Sequence, residues 1–273
     1  MSAVFANRWV LVTGASSGLG EELAKRLAQR GAHLVLTARR EERLRNLAAD
    51  LMRVNGTRAE VVAADLSHPD GADRVLAAVR ERELHISHLV NNAGFGSAGA
   101  FAELDAGRES AMVELNVASV VRLTRGLVGG MIATRDGGVL NVASTAAFQP
   151  VPFMATYAAT KAFVVSFTLA LAGELDGTGV RVMALCPGPV HTGFQAAAGF
   201  ERPALSLAVL TANRTVERGL AAYERGEHLY TPGLVNGVQS LAARVLPHGI
   251  VTRAAARAMR RLGRAPAKLS PGG

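Results

Sequence analysis

The chain has 273 residues, 49% hydrophobic and 19% charged, which excludes a disordered or fibrous protein and suits one large α/β domain with a substantial core. Its net charge of +8 would suit a nucleic-acid partner, but seven basic residues lie between Leu241 and Gly273, where there is no Asp or Glu, so the remainder is near neutral. The single cysteine, Cys186, excludes an internal disulfide, and Met1 leads into an apolar run with no leader-like segment, so a cytoplasmic location is expected.

In chain order, Trp9 to Thr13 reads as a strand, Gly20 to Arg30 as a helix, His33 to Thr37 as a strand, Glu41 to Val54 as a helix and Glu60 to Ala64 as a strand. Asp70 to Glu83 then reads as a helix, His88 to Asn91 as a strand, and the region around Glu109 to Met131 as a long helix. Gly138 to Ala143, Tyr157 to Leu175 and Arg181 to Cys186 continue the pattern as strand, helix and strand. Such alternation predicts a doubly wound parallel sheet flanked by helices, and the continuous apolar strands suit burial on both faces. Leu23, Ala24, Leu27 and Ala28 give the first helix its apolar face, and Gly31 suits its left-handed closing turn. Gly188 to Gly226 is less regular and is expected to form a mobile, helix-containing flap over a pocket. The predicted organisation is one catalytic domain over residues 1–240 and a basic helical tail over residues 241–273. The longest apolar stretch, Ala162 to Gly173, is interrupted by Ser166 and Thr168 and falls short of the roughly 20 residues that span a bilayer, so no transmembrane segment is expected.

Between the first strand and first helix lies Thr13-Gly14-Ala15-Ser16-Ser17-Gly18-Leu19-Gly20. Glycines here let the backbone turn sharply and approach a pyrophosphate, which a helix N-terminus favours through its free N–H groups and dipole. A glycine turn that merely packs helix on strand is the plain alternative. At the end of the second strand, where a carboxylate would accept the ribose 2′-hydroxyl of NAD(H), the chain has Arg39 and Arg40. A guanidinium suits a 2′-phosphate, so NADP(H) is expected ahead of NAD(H), with Arg39 as the principal reader and Arg40 in support.

Tyr157 and Lys161, four residues apart on a helix, share one face. A neighbouring ammonium lowers the pKa of a phenol and prepares it for proton transfer. Ser144 ends an apolar strand and offers a hydroxyl to a substrate oxygen, and Asn116 is expected to hold a water or orient the lysine. Taken singly, each has an ordinary structural explanation as a helix cap or surface contact.

Together, Thr13-Gly14-x-x-x-Gly18-x-Gly20, Asn91-Asn92-Ala93-Gly94, Asn116, Ser144, Tyr157, Lys161 and Pro187-Gly188 resemble the short-chain dehydrogenase/reductase family from about Arg8 to Thr192. The resemblance implies a single-domain Rossmann fold and hydride transfer between nicotinamide and a carbonyl or alcohol. It implies Tyr157 as general acid in reduction, Lys161 on the nicotinamide ribose, Ser144 polarising the carbonyl and Asn116 in a proton relay. It further implies cofactor contacts from Gly14, Ser16, Ser17, Gly18, Leu19 and Gly20, from Asp65 and Leu66 at the adenine, and from Asn92, Ala93 and Gly94 at the adenosine ribose. Pro187, Gly188, Val190 and Thr192 would border the nicotinamide. The chain departs from many NADP-preferring relatives in having Ser16 and Ser17 where a basic residue stands in the glycine loop, and it lacks the asparagine- and glycine-rich ending common in the family.

Phe95, Phe148, Phe153 and Met154 near the motifs, with Phe194, Phe200, Leu205, Leu207 and Leu210 in the expected flap, point to a lipophilic ketone or aldehyde. His85 and His88 lack accompanying carboxylates or cysteines, so no metal site is expected. Nucleic acid is not expected as a partner. Arg253, Arg257, Arg260 and Arg264 fall at helical spacing and allow weak membrane-surface contact through the tail, though such a stripe is commonly a solvated face. A homo-oligomer, dimer or tetramer, is expected. The alternative function is a catalytically silent dinucleotide-binding regulatory protein, against which the intact Tyr157 and Lys161 argue.

Overall fold

A computed structural model of the chain describes residues 4–190, 198 and 209–261. Seven strands, β1 (Trp9–Thr13), β2 (His33–Ala38), β3 (Ala59–Ala63), β4 (Ile86–Asn91), β5 (Gly137–Val142), β6 (Val180–Leu185) and β7 (Leu229–Tyr230), form one parallel sheet in the order β3-β2-β1-β4-β5-β6-β7. Their side chains are apolar on both faces because helices cover both: Val10, Leu11 and Val12 are all fully buried. The strand order reverses between β1 and β4, which opens a crevice at the carboxyl ends of the strands. This is the Rossmann arrangement that the alternation of elements predicts.

On one face, α1 (Gly18–Gln29) and α2 (Glu41–Asn55) place Leu23, Leu27 and Leu44 in a core with Val10 and Val12. On the other, α3 (Gly71–Glu81) and α5 (Ser119–Thr134) bring Val75, Leu123 and Met131 against Leu11 and Leu89. Gly31 closes α1 at φ +82°, a conformation that favours glycine. A buried amide chain ties the centre of the sheet together: Asn91 donates to Asn141 at 2.8 Å, and Asn141 donates to Thr168 at 2.9 Å. Each amide thereby finds a partner where water is excluded.

The predicted long helix is divided. α4 (Ala106–Val113) passes through a π-helical turn, Glu114–Ala118, before α5 begins. By composition, Ala106–Thr134 and Ala155–Glu174 are long and apolar enough to cross a membrane. Here α5 lies on β4 and β5, and the second of these helices, α6 (Ala155–Glu174), lies on β5 and β6.

Part of the expected flap belongs to the body. Residues Ala212–Glu224 form α7, whose Val216, Leu220 and Tyr223 are fully buried in the α1 core, because one apolar stripe of that segment faces the sheet. Arg30, the residue that caps the end of α1, also pairs with Glu217 at 2.7 Å and Glu224 at 2.9 Å. Phe194, Phe200, Leu205 and Leu207 lie outside the described residues. Beyond β7 come α8 (Leu234–Val245) and α9 (His248–Arg261), so position 241 falls within a helix.

Candidate active site

The glycine loop is shaped by close approach. Gly14 and Gly18 adopt φ +68° and +60°, and a Cβ on Gly20 would overlap the Gly14 carbonyl. Thr13 anchors the loop: its hydroxyl accepts from the N–H groups of Asn92 and Ala93, both at 2.9 Å, while the Asn92 amide donates to the Thr13 carbonyl at 2.8 Å. The ends of β1 and β4 are thus locked together. Ser17, the N-cap of α1, makes no side-chain cap bond. The first N–H groups of α1 therefore face the crevice without a side-chain cap.

Three arginines surround this end. Arg40 folds over the loop, donating from Nε and Nη2 to the Ser16 hydroxyl at 3.2 and 2.9 Å and from Nη2 to the Ser17 hydroxyl at 2.8 Å. Arg39 is more open, its side chain 74% exposed and 3.9 Å from Asp65. Arg43, one turn further along α2, lines the same crevice and was not singled out from the sequence, although its spacing from Arg40 was visible. Burial works against ionisation of Asp65, but hydrogen bonds from Ser67 and the charges of Arg39 and His68 hold its carboxyl below the ordinary value.

Tyr157 and Lys161 share the buried face of α6, with the lysine Nζ 5.9 Å from the centre of the tyrosine ring. Lys161 donates to the Val142 carbonyl at 2.8 Å. Ser144, just beyond β5, accepts from the Ala146 N–H at 3.1 Å and hydrogen-bonds the Tyr157 hydroxyl. Asn116 sits in the π-helical turn, the kind of irregularity that recurs at functional sites. Its amide donates to Phe95 O at 3.0 Å and Thr160 Oγ1 at 3.1 Å and accepts from Phe95 N at 3.3 Å. A Cβ on Gly94 would stand 3.0 Å from Asn116 Oδ1 and 3.4 Å from Lys161 Nζ, so glycine keeps a narrow space open between strand end and lysine.

The electrostatics correct one expectation. Lys161 was expected to lower the pKa of Tyr157. Burial instead pushes the phenol up to about 12, opposed by the Ser144 hydrogen bond, and pushes Lys161 down to about 8. Removal from water is the largest influence on both groups, and the lysine's hydrogen bond is directed at a backbone carbonyl.

One cavity of about 850 Å³ runs through these groups. Its walls include Gly14, Ser16, Ser17, Gly18, Leu19 and Gly20 at one end, Arg39, Arg40, Asp65 and Leu66 beside them, and Asn92, Ala93 and Gly94 in the middle. Ser144, Tyr157, Lys161, Pro187, Gly188 and Val190 line the other end. Asn116 stands behind the wall, and Thr192 lies outside the described residues. Ser67, Leu115 and Thr145 also line the cavity without having been singled out. Next to Tyr157 is an apolar cluster of Ala98, Met112, Met154 and Met259, flanked by Phe95, Val151 and Phe153. Met259 comes from α9, so the basic C-terminal segment reaches the catalytic face. Among the described residues no group of three or more His, Cys, Asp or Glu side chains is placed to hold a metal.

A family model described as short chain dehydrogenase matches residues 8–202. The chain is 36% identical over 182 residues to an oxidoreductase of Staphylococcus epidermidis, covering 67% of this chain and 77% of that protein. Among solved structures, it is similar to a short-chain dehydrogenase from Sphingobium yanoikuyae in complex with NADPH, with a TM-score of 0.78, 31% identity and coverage of 88% and 96% of the two chains. It is also similar to the bulky-bulky ketone specific alcohol dehydrogenase from Comamonas testosteroni, with a TM-score of 0.74, 30% identity and coverage of 88% and 95%. With the family model spanning well over half of the chain, the protein belongs to the short chain dehydrogenase family of oxidoreductases.

Proposed function

We propose that the protein is an NADP(H)-dependent reductase of lipophilic ketones or aldehydes, with Ser144, Tyr157 and Lys161 as its catalytic residues and Asn116 as a positioning residue. The observation that carries the reading is the Ser144–Tyr157–Lys161 arrangement at the end of a cavity whose other end is ringed by arginines. The fit to a dinucleotide rests on the glycines, which clear space that a Cβ at Gly14, Gly20 or Gly94 would fill. The uncapped start of α1 would take the pyrophosphate, and Arg39, Arg40 and Arg43 the 2′-phosphate. Arg40, at the start of α2, supplies the cation that the glycine loop itself lacks.

When bound, the nicotinamide supplies the hydride. The Ser144 hydroxyl holds the substrate oxygen, and Tyr157 gives that oxygen its proton. A phenol with a pKa near 12 is protonated at neutral pH, which suits an acid for reduction. Lys161, ammonium below about pH 8, would hold the cofactor ribose and offset the charge that the tyrosine leaves behind. Asn116 keeps Phe95 and Thr160 in register around that lysine. Met112, Met154, Phe95 and Phe153 make the reacting end apolar, and the similarity to a bulky-ketone alcohol dehydrogenase supports the same substrate class.

NADPH oxidation over a panel of carbonyl compounds, with Tyr157→Phe in parallel, tests the assignment. Turnover of bulky apolar ketones that falls about 10²–10⁴-fold in the variant is expected. Unchanged turnover in Tyr157→Phe, or reduction confined to sugar-like polar carbonyls, refutes it. We also propose a homo-oligomer, supported by exposed Phe163 and Leu169 on α6 and Val113 and Ile132 on α4 and α5; sedimentation equilibrium as a monomer would refute it.

A further inference from the structure

The C-terminal helices carry an amphipathic surface inverted for a protein in water. In α8 the polar residues face inward: Asn236 and Ser240 are buried, with the Asn236 amide donating to the Pro232 carbonyl at 2.9 Å. The apolar residues face outward, Leu234, Val238, Leu241 and Val245 being 90%, 67%, 62% and 77% exposed. Their four-, three- and four-residue steps place them in one stripe along the helix. Leu246 and Ile250, also exposed, carry the stripe across the turn into α9.

Basic residues follow on the next helix. Arg253 and Arg257 are exposed on α9, Arg260 lies 6.0 Å over the Phe153 ring, and no Asp or Glu follows Glu227 in the sequence. The opposite side of α9 is anchored, with Val251 and Met259 buried and Met259 in the cluster that includes Tyr157. α8 packs beside the Thr145–Phe148 turn that follows Ser144. The apolar and basic surface is therefore fixed to the body next to the catalytic cavity.

Two occupants would cover an apolar stripe of this kind. A second copy related by a two-fold axis presents the same patch, setting arginines near arginines without a carboxylate to offset them. A lipid surface with anionic head groups meets both chemistries, taking the apolar stripe into its acyl boundary and the arginines against its phosphates. We infer that α8 and α9 dock the protein on an anionic phospholipid bilayer, with Leu234, Val238, Leu241 and Val245 in the interface and Arg253 and Arg257 at the head groups.

Co-sedimentation of the full chain with vesicles tests this without any turnover measurement. The vesicles are phosphatidylcholine alone or mixed with phosphatidylserine, at low and high salt. The wild type is expected to pellet with the mixed vesicles at low salt and to be released by salt. Arg253→Glu/Arg257→Glu should weaken partition at least about twenty-five-fold, since each basic residue contributes about a fivefold gain. Val238→Glu/Leu241→Glu should abolish it, and unchanged thermal unfolding of both variants would show that the fold is intact. Wild-type protein that stays in the supernatant overturns the inference, as do both variants pelleting like wild type. Conversion of an oligomer into monomers by Val238→Glu/Leu241→Glu, with vesicle binding unaffected, would assign the stripe to a second copy instead and also overturn it.

Discussion

Lys161 Nζ stands 5.9 Å from the centre of the Tyr157 ring while donating to the Val142 carbonyl, so the ammonium is held beside the phenol by the end of β5. Burial lowers Lys161 to about 8. Its protonated form prevails below that value and is lost above it. The kcat/KM for reduction is therefore expected to hold level below about pH 8 and decline above, since that parameter reports the free enzyme. Lys161→Arg should carry the decline to higher pH. A wild-type profile that rises through this range would contradict the role given to the lysine.

Arg40 offers a test of the proposed preference for NADP(H). Replacing it with alanine frees Ser16 and Ser17 and removes a charge from the phosphate end of the cavity. The Kd for NADPH should rise about ten- to hundredfold, in keeping with loss of charge-assisted hydrogen bonds, with little change for NADH. Arg39→Asp should act in the same direction. Isothermal titration with both cofactors provides the check, and equal losses for the two would remove the 2′-phosphate assignment.

Two glycines should respond oppositely to alanine. At Gly20 the added methyl meets the Gly14 carbonyl, so the loop must shift and NADPH affinity should fall about ten- to hundredfold, the equivalent of 1–3 kcal/mol of overpacking. At Gly129, in the interior of α5, nothing lies within 4 Å of the new methyl. There alanine should stabilise the fold by about 1 kcal/mol through helix propensity. Denaturant unfolding and cofactor titration on the two variants measure both effects.

His88 predicts acid sensitivity. It lies on β4 between Phe5 and Tyr223, with ring centroids at 5.0 and 5.9 Å, and its Nε2 has no hydrogen-bond partner. Burial, with Arg8 and Arg181 adding repulsion, lowers it from 6.5 to about 3. Between those values the unfolded chain binds a proton that the folded chain does not, so stability falls as pH drops from 6.5 toward 3. Above 6.5 this contribution is level. His88→Leu should flatten the slope of unfolding free energy against pH in that window, and an unaltered slope would assign the sensitivity to other groups.

The strands, the glycine turn and the Tyr157/Lys161 helix were legible because each writes a local pattern: a short apolar run, φ-permissive glycines, a four-residue step. Gly31 as a helix end belongs to the same class. The weight of Arg40 comes from folding back on Ser16, a contact across 24 residues that no periodicity reports. The tyrosine pKa depends on burial, which is set by what surrounds α6 in space. The irregular sequence before α7 hides a helix whose Val216, Leu220 and Tyr223 complete the α1 core. Nothing in the arginine-rich α9 announces that Met259 closes a cluster with Tyr157.

The wide turn at Glu114–Ala118 lets one continuous rod serve two masters. Each helical residue advances the face by about 100°, and the added residue lets α4 aim Met112 at the substrate-side cluster while α5 aims Leu123 and Met131 at the sheet. The architecture thus depends on the spacing between those positions. Deleting one residue would roll Met112 out of its cluster, whereas exchanging side chains at constant length can reshape the substrate wall and leave the sheet contacts alone.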